Sequence, residues 1–180
     1  MKEKSDEGFT MIDVLVSMSV MVVVMAVFTA SILSMYRSAD AVDAKSVAQA
    51  QLGLALQRLD REIRYSEGIS EEYQAGNDWY VDFLAVQGTK RQCIQLRLSG
   101  GQLAQRTWTW NRAPLDRSAW RPLADGITSV QPFDYVPPSD LIGYQRLTLD
   151  LRTGDDANTA TFTALNSTRT SRNDYCVAGR

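Results

Sequence analysis

Hydrophobic and polar positions are sharply segregated along this chain. Residues 14–33 (VLVSMSVMVVVMAVFTASIL) contain no charge over 20 consecutive positions. A helix of that length covers about 30 Å, the thickness of a bilayer's hydrocarbon core. Its only polar members are Ser17, Ser19, Thr29 and Ser31, whose hydroxyls can bond back to helix carbonyls. Helical periodicity continues further: Leu52, Leu56, Leu59 and Ile63 fall at i, i+4, i+7 and i+11, one apolar stripe, while Arg58, Asp60, Arg61 and Glu62 take other faces. Residues 1–113 contain no proline, and Gly53 is the one weak point, costing about 1 kcal/mol relative to alanine. The pattern predicts one rod over residues 9–64, about 85 Å long, lipid-compatible in its first half and carrying a packed head on its second.

After Gly68 the period changes from helix to strand. Residues 79–86 (WYVDFLAV) read as a strand, and in 91–99 Ile94, Leu96 and Leu98 alternate with Gln95 and Arg97. Gly100-Gly101 is a hairpin turn signal, and 102–110 is the returning strand. Further strands are predicted at 127–135, closed by Pro137-Pro138, at 144–152, where Leu147, Leu149 and Leu151 alternate with polar residues, and at 159–166. One helix followed by consecutive strands with short connections predicts an α+β head with an antiparallel sheet.

Composition narrows the chemistry. The 180 residues include 44% hydrophobic and 22% charged, both near the globular average, with a formal net charge of −2. There is no histidine, which removes histidine-based nucleophilic and acid–base catalysis and the common histidine metal sites. With only two cysteines, a zinc site built of four thiolates is also impossible. The expectation is a chain that is not an enzyme and carries no cofactor; a tethered hydrolase would need a convergent acidic pair, which the sequence does not identify.

The apolar run exceeds the 7–15 residue core of an ordinary secretory signal, and no A-x-A site follows it. Flanking charges do not orient it: Lys2 and Lys4 precede the run, and Arg37 and Lys45 follow. The N-terminus, MKEKSDEGFTMID, is more informative. A short charged leader ends at Gly8, Phe9 opens the apolar helix, and Asp13 stands at its fifth position. This resembles the class III signal of type IV pilins and type II secretion pseudopilins. The resemblance implies cleavage by a prepilin peptidase between Gly8 and Phe9, N-methylation of Phe9, a cytoplasmic leader and a head outside the cytoplasm. It divides the chain into a leader (1–8), the transmembrane half of the helix (9–33) and a pilin-like head (34–180).

Asp13 carries the physical interest. A carboxylate within a span costs roughly 2.5–3.5 kcal/mol at the bilayer centre and less near the interface, so it needs a partner. Cleavage creates one, because the new α-amine of Phe9 is mostly cationic at neutral pH. In the family, the acidic residue at this position pairs with the N-terminus of a neighbouring subunit and sets axial register. The family usually has glutamate there, one methylene longer, and often a mid-helix proline where this chain has Ala30. Thr10-Met11-Ile12-Asp13 is also a capping-box variant, with an acid favourable at a helix N-terminus, and a plain signal anchor could look like this.

Residues 56–69 (LQRLDREIRYSEGI) look like the end of the long helix in PilW-like minor pilins and J-type pseudopilins; residues 126–152 look like their later hairpin and 161–174, loosely, like their closing strand. The resemblance implies the type IV pilin-like fold, a long N-terminal α-helix, transmembrane in its first half, packed on an antiparallel β-sheet head. It implies a minor pilin that assembles into, primes or caps a type IV pilus, or else a J-type minor pseudopilin of type II secretion. Its partners would be prepilin peptidase, other minor and major pilins or pseudopilins, an inner-membrane assembly platform and membrane lipid.

Three further features have alternative readings. Cys93 and Cys176 can form a disulfide if the head is exported, closing a loop worth roughly 4–5 kcal/mol in the chain-entropy model and pinning the polar tail after Asn166. Otherwise they are two buried thiols. Arg106, Trp108 and Trp110 share one strand face, with Arg112, Arg117, Trp120 and Arg121 close behind. Guanidinium groups among aromatic planes suit nucleic acid or glycan, and the same residues suit a hairpin face covering the core or a neighbouring subunit. Gly154-Asp155-Asp156 is either a cation loop or a solvated turn.

Overall fold

The computed structural model describes residues 10–112, 116–154, 156–168 and 170–177. Among these residues a single helix, α1 (Met11–Arg64), is followed by nine strands: β1 (Ser66–Ile69), β2 (Tyr73–Ala75), β3 (Asp78–Gln87), β4 (Lys90–Ser99), β5 (Gln102–Thr109), β6 (Arg121–Ala124), β7 (Phe133–Val136), β8 (Arg146–Thr153) and β9 (Asp156–Thr163). This is the α+β architecture of the pilin-like fold: one long N-terminal helix and antiparallel sheets. The chain divides into two compact units, Met1–Ala44 and Lys45–Arg180.

Within the second unit the strands form two sheets rather than the expected one. The six-stranded sheet has the order β1-β3-β4-β5-β6, with β2 also paired to β3; the other sheet is β7-β8-β9. All pairs are antiparallel. The break lies in the stretch expected to be one strand over 127–135. Pro132 has no N–H to give a ladder, so pairing as a strand begins only at Phe133. Before it, Ile127 makes a lone bridge to Thr153 and donates its amide to the Gly101 carbonyl at 2.9 Å, tying the two sheets together. The Gly100-Gly101 hairpin turn forms as expected, with φ of 55° and 81°.

Both sheets pack on the second half of α1. Leu52, Ala55, Leu59 and Ile63 are its buried residues, and Leu56 is half-buried against the same core. The leucines and Ile63 meet Val81 and Phe83 of β3, Ile94 and Leu96 of β4, Leu103 of β5, and Leu147, Leu149 and Leu151 of β8 in one cluster. Each fully buried Leu or Ile contributes about 1.5–3 kcal/mol relative to exposure. Polar bonds fix the seating. Glu62 accepts from Arg58 Nε at 2.9 Å and from Gln105 Nε2 at 3.1 Å. Asp156 accepts from Lys45 Nζ and Gln49 Nε2, both at 2.7 Å, holding the β8–β9 end to the helix.

Strand alternation gives the six-stranded sheet a second face, turned from the helix. Leu84, Cys93, Trp108 and Cys176 form a smaller core there, under the C-terminal tail. Gln145, fully buried, is the tail's polar anchor. Its Oε1 accepts the Ile69 amide at 2.7 Å, its Nε2 donates to the Ser171 carbonyl at 3.1 Å, and its own amide donates to Ser167 Oγ at 2.8 Å.

Candidate functional site

The first part of α1 is long and apolar enough to cross a membrane, and residues 10–44 are exposed throughout. The four hydroxyls of residues 14–33 are satisfied inside the helix. Ser17 Oγ donates to the Asp13 carbonyl at 2.7 Å, Ser19 Oγ to Val16 at 2.8 Å, Thr29 Oγ1 to Met25 at 2.8 Å and Ser31 Oγ to Val27 at 2.9 Å. With its polar side chains bonded inward, this segment offers lipid a surface without unmet donors.

At its start, Thr10 and Asp13 form the reciprocal capping box. Asp13 Oδ2 accepts from the Thr10 amide at 3.1 Å and from Thr10 Oγ1 at 2.6 Å, and Thr10 Oγ1 accepts the Asp13 amide at 3.4 Å. Both donors converge on one carboxylate oxygen, and among the described residues no cation pairs with Asp13. Gly8 and Phe9, the expected cleavage and methylation residues, lie outside the described residues.

Cys93 and Cys176 are joined in a disulfide, their Cα atoms 5.7 Å apart. The bond carries the tail over the outer face of β4 and β5, and this divides the surface expected of Arg106, Trp108 and Trp110. Trp108 is only 3% exposed, packed among Leu84 and the disulfide, so it offers no stacking face to a ligand. Trp110 is half-buried; its Nε1 donates to the Tyr175 carbonyl at 3.1 Å, and the Arg91 guanidinium lies 5.0 Å from its ring centre. Arg106 lies between two rings: its Nε donates to Gln95 Oε1 at 2.6 Å, and its guanidinium lies 5.9 Å from the Trp108 ring centre and 4.5 Å from that of Trp120. Burial, and then the nearby charge of Arg117, lower the Arg106 pKa below the usual arginine value. The expected surface therefore becomes a core tryptophan, a latched tryptophan and an arginine that links Trp108 to a further cluster around Trp120.

That cluster was not legible as a unit. Arg97 lies 4.3 Å from the Trp120 ring, a pairing that no sequence spacing suggests. Tyr73 and Tyr80 stack at 5.1 Å across β2 and β3, and Tyr73 Oη accepts from Gln95 Nε2 at 2.9 Å. The segment before β6 folds back along β5, with Ser118 donating its amide to the Thr107 carbonyl at 2.8 Å, which delivers Trp120 to the sheet.

The turn expected to hold a cation or water has Asp155 outside the described residues and Asp156 engaged by Lys45 and Gln49. Among the described residues no group of acidic, cysteine or histidine side chains is placed to hold a metal ion. An open groove of about 560 Å³ on the three-stranded sheet is lined by Asp134 and Asp150, the latter 3.7 Å from the Arg152 guanidinium.

Comparison of the chain with protein-family models, with curated proteins and with solved structures gives no match.

Proposed function

We propose that this chain is a minor pilin: a subunit anchored in the inner membrane by one span, processed by prepilin peptidase after Gly8, and assembled with other pilins to prime or cap a type IV pilus. The observation that carries the reading is the division of labour along α1. Residues 14–33 are an exposed, uncharged apolar surface whose hydroxyls are satisfied internally; the other end of the helix is the spine of a folded head. Such a chain is built to move laterally between a bilayer and a bundle of similar helices, with no change of its own fold.

Asp13 sits where this exchange is controlled. Thr10 engages one carboxylate oxygen, and the other is left for the methylated ammonium end of a neighbouring subunit. In lipid, an ionised acid pairing with a cation gains more than it does in water, so the correct stagger between subunits is strongly preferred. The head then packs beside other heads outside the cytoplasm.

Mass spectrometry of the N-terminus tests processing: a chain beginning at methylated Phe9 is expected in cells with active prepilin peptidase, and an intact Met1 there removes the proposal. Asp13→Ala tests assembly. Membrane insertion should persist while recovery in sheared pili and co-purification with other pilins fall at least tenfold. Undiminished incorporation would remove the role given to Asp13.

A further inference from the structure

Charge is unevenly spread in this chain. Residues 90–121 hold seven Lys/Arg against one Asp, Asp116, whereas the rest of the chain holds 12 Lys/Arg against 20 Asp/Glu. The same stretch carries three of the four tryptophans. Folding gathers one end of it into an open groove of about 800 Å³, where the β3–β4 turn meets the end of β5. Beyond β5 the Trp110 amide still donates to the Arg91 carbonyl at 3.2 Å, and Asn111, at φ 54°, turns the chain away. Lys90, Arg91 and Arg112 line the groove with Trp110, Gln92, Asn111 and two threonines, and no carboxylate lines it. Arg91 is held by Glu67 at 3.0 Å. Among the described residues neither Lys90 nor Arg112 has an ion-pair partner.

We propose that this groove binds single-stranded nucleic acid. Two unpaired cations and a third beside them, tied to Glu67, suit successive phosphates, and the amides and hydroxyls suit sugar and base edges, while the Trp110 ring, already under the Arg91 guanidinium, holds that cation in place at the groove. The walls contain no aliphatic seat for the side chains of an acidic peptide, which favours a phosphodiester strand over a protein segment. The overall charge of −2 confines the attraction to this region rather than to the whole surface. The inference is independent of the pilin reading, since neither processing nor Asp13 enters it.

The test uses the full chain in detergent micelles and fluorescence anisotropy of a labelled 12-nucleotide DNA strand at 50 mM salt. Lys90→Gln with Arg112→Gln should weaken binding at least about tenfold and flatten the salt dependence of log K by about 1.4, two phosphate contacts at about 0.7 each. Arg61→Gln, an exposed charge elsewhere on the head, should change affinity less than twofold. Arg112→Lys should retain most of the binding. No binding by the unaltered chain overturns the proposal, as does binding that the double variant leaves unchanged. Equal affinity for poly-glutamate also overturns it and assigns the groove to an acidic protein segment.

Discussion

Gly68 lies directly beneath the ring of Tyr175. A Cβ at Gly68 would stand 2.5 Å from Cδ2 and Cε2 of that ring and 2.8 Å from the Arg172 carbonyl oxygen. No side chain fits there, so the glycine is required by close approach: strand β1 and the C-terminal tail share space that only a hydrogen leaves open. Gly68→Ala should destabilise the head by about 1–3 kcal/mol through overpacking. Gly53 is the contrast. It is an exposed helical position with no atom within 4 Å of the place a Cβ would take, so Gly53→Ala should stabilise by about 0.5–1 kcal/mol. Urea unfolding of both variants checks the pair; a neutral Gly68→Ala would show that the tail yields freely.

The disulfide should be worth about 2–5 kcal/mol to the head. Reduction, or Cys93→Ser with Cys176→Ser, is expected to lower the denaturation midpoint and expose the tail to limited proteolysis. Identical midpoints and cleavage patterns with and without reductant would mean that Gln145 and Tyr175 hold the tail unaided.

Trp108 and Trp120 should separate in cost. Trp108→Ala empties a buried site beside the disulfide and should cost about 3–5 kcal/mol. Trp120 is half-buried and held by Arg97 and Arg106, contacts worth about 0.5–1 kcal/mol each at such sites, so Trp120→Ala should cost about 1–2 kcal/mol. Chemical denaturation gives the order, and the reverse order would contradict the packing.

Gln145→Ala should be among the most damaging polar substitutions. It leaves the buried Ile69 amide without its acceptor, at about 1–3 kcal/mol for such a group, and releases the Ser171 carbonyl. Amide hydrogen exchange at Ile69 should accelerate together with exchange in the tail. Unchanged protection at Ile69 would show that another acceptor takes over.

Much of the architecture was readable from local pattern. The uncharged run, the stripe of Leu52, Leu59 and Ile63, and the Gly100-Gly101 hairpin each state their structure within a few residues, because period and turn chemistry act over short range. Strands β1, β2 and β6 were missed for the complementary reason. At three or four residues they are too short to show a period, and β6 contains Pro122, tolerable only because the strand is an edge.

The candidate surface shows where local pattern stops. Alternation places Arg106, Trp108 and Trp110 on one side of β5, and the structure agrees, but alternation is silent about what covers that side. A tail more than sixty residues further along the chain buries Trp108 and latches Trp110, while Arg106 reaches from the Trp108 ring to Trp120. The sequence by itself determined the membrane-compatible helix, its acidic start, the helix-then-strands order and the possibility of a disulfide, all consequences of periodicity and residue chemistry. Only the tertiary structure decided the split into two sheets, the burial of Trp108, the hub at Gln145 and the cationic groove at Lys90 and Arg112. Each of these depends on long-range contacts that bring separate segments together, and no local period encodes them.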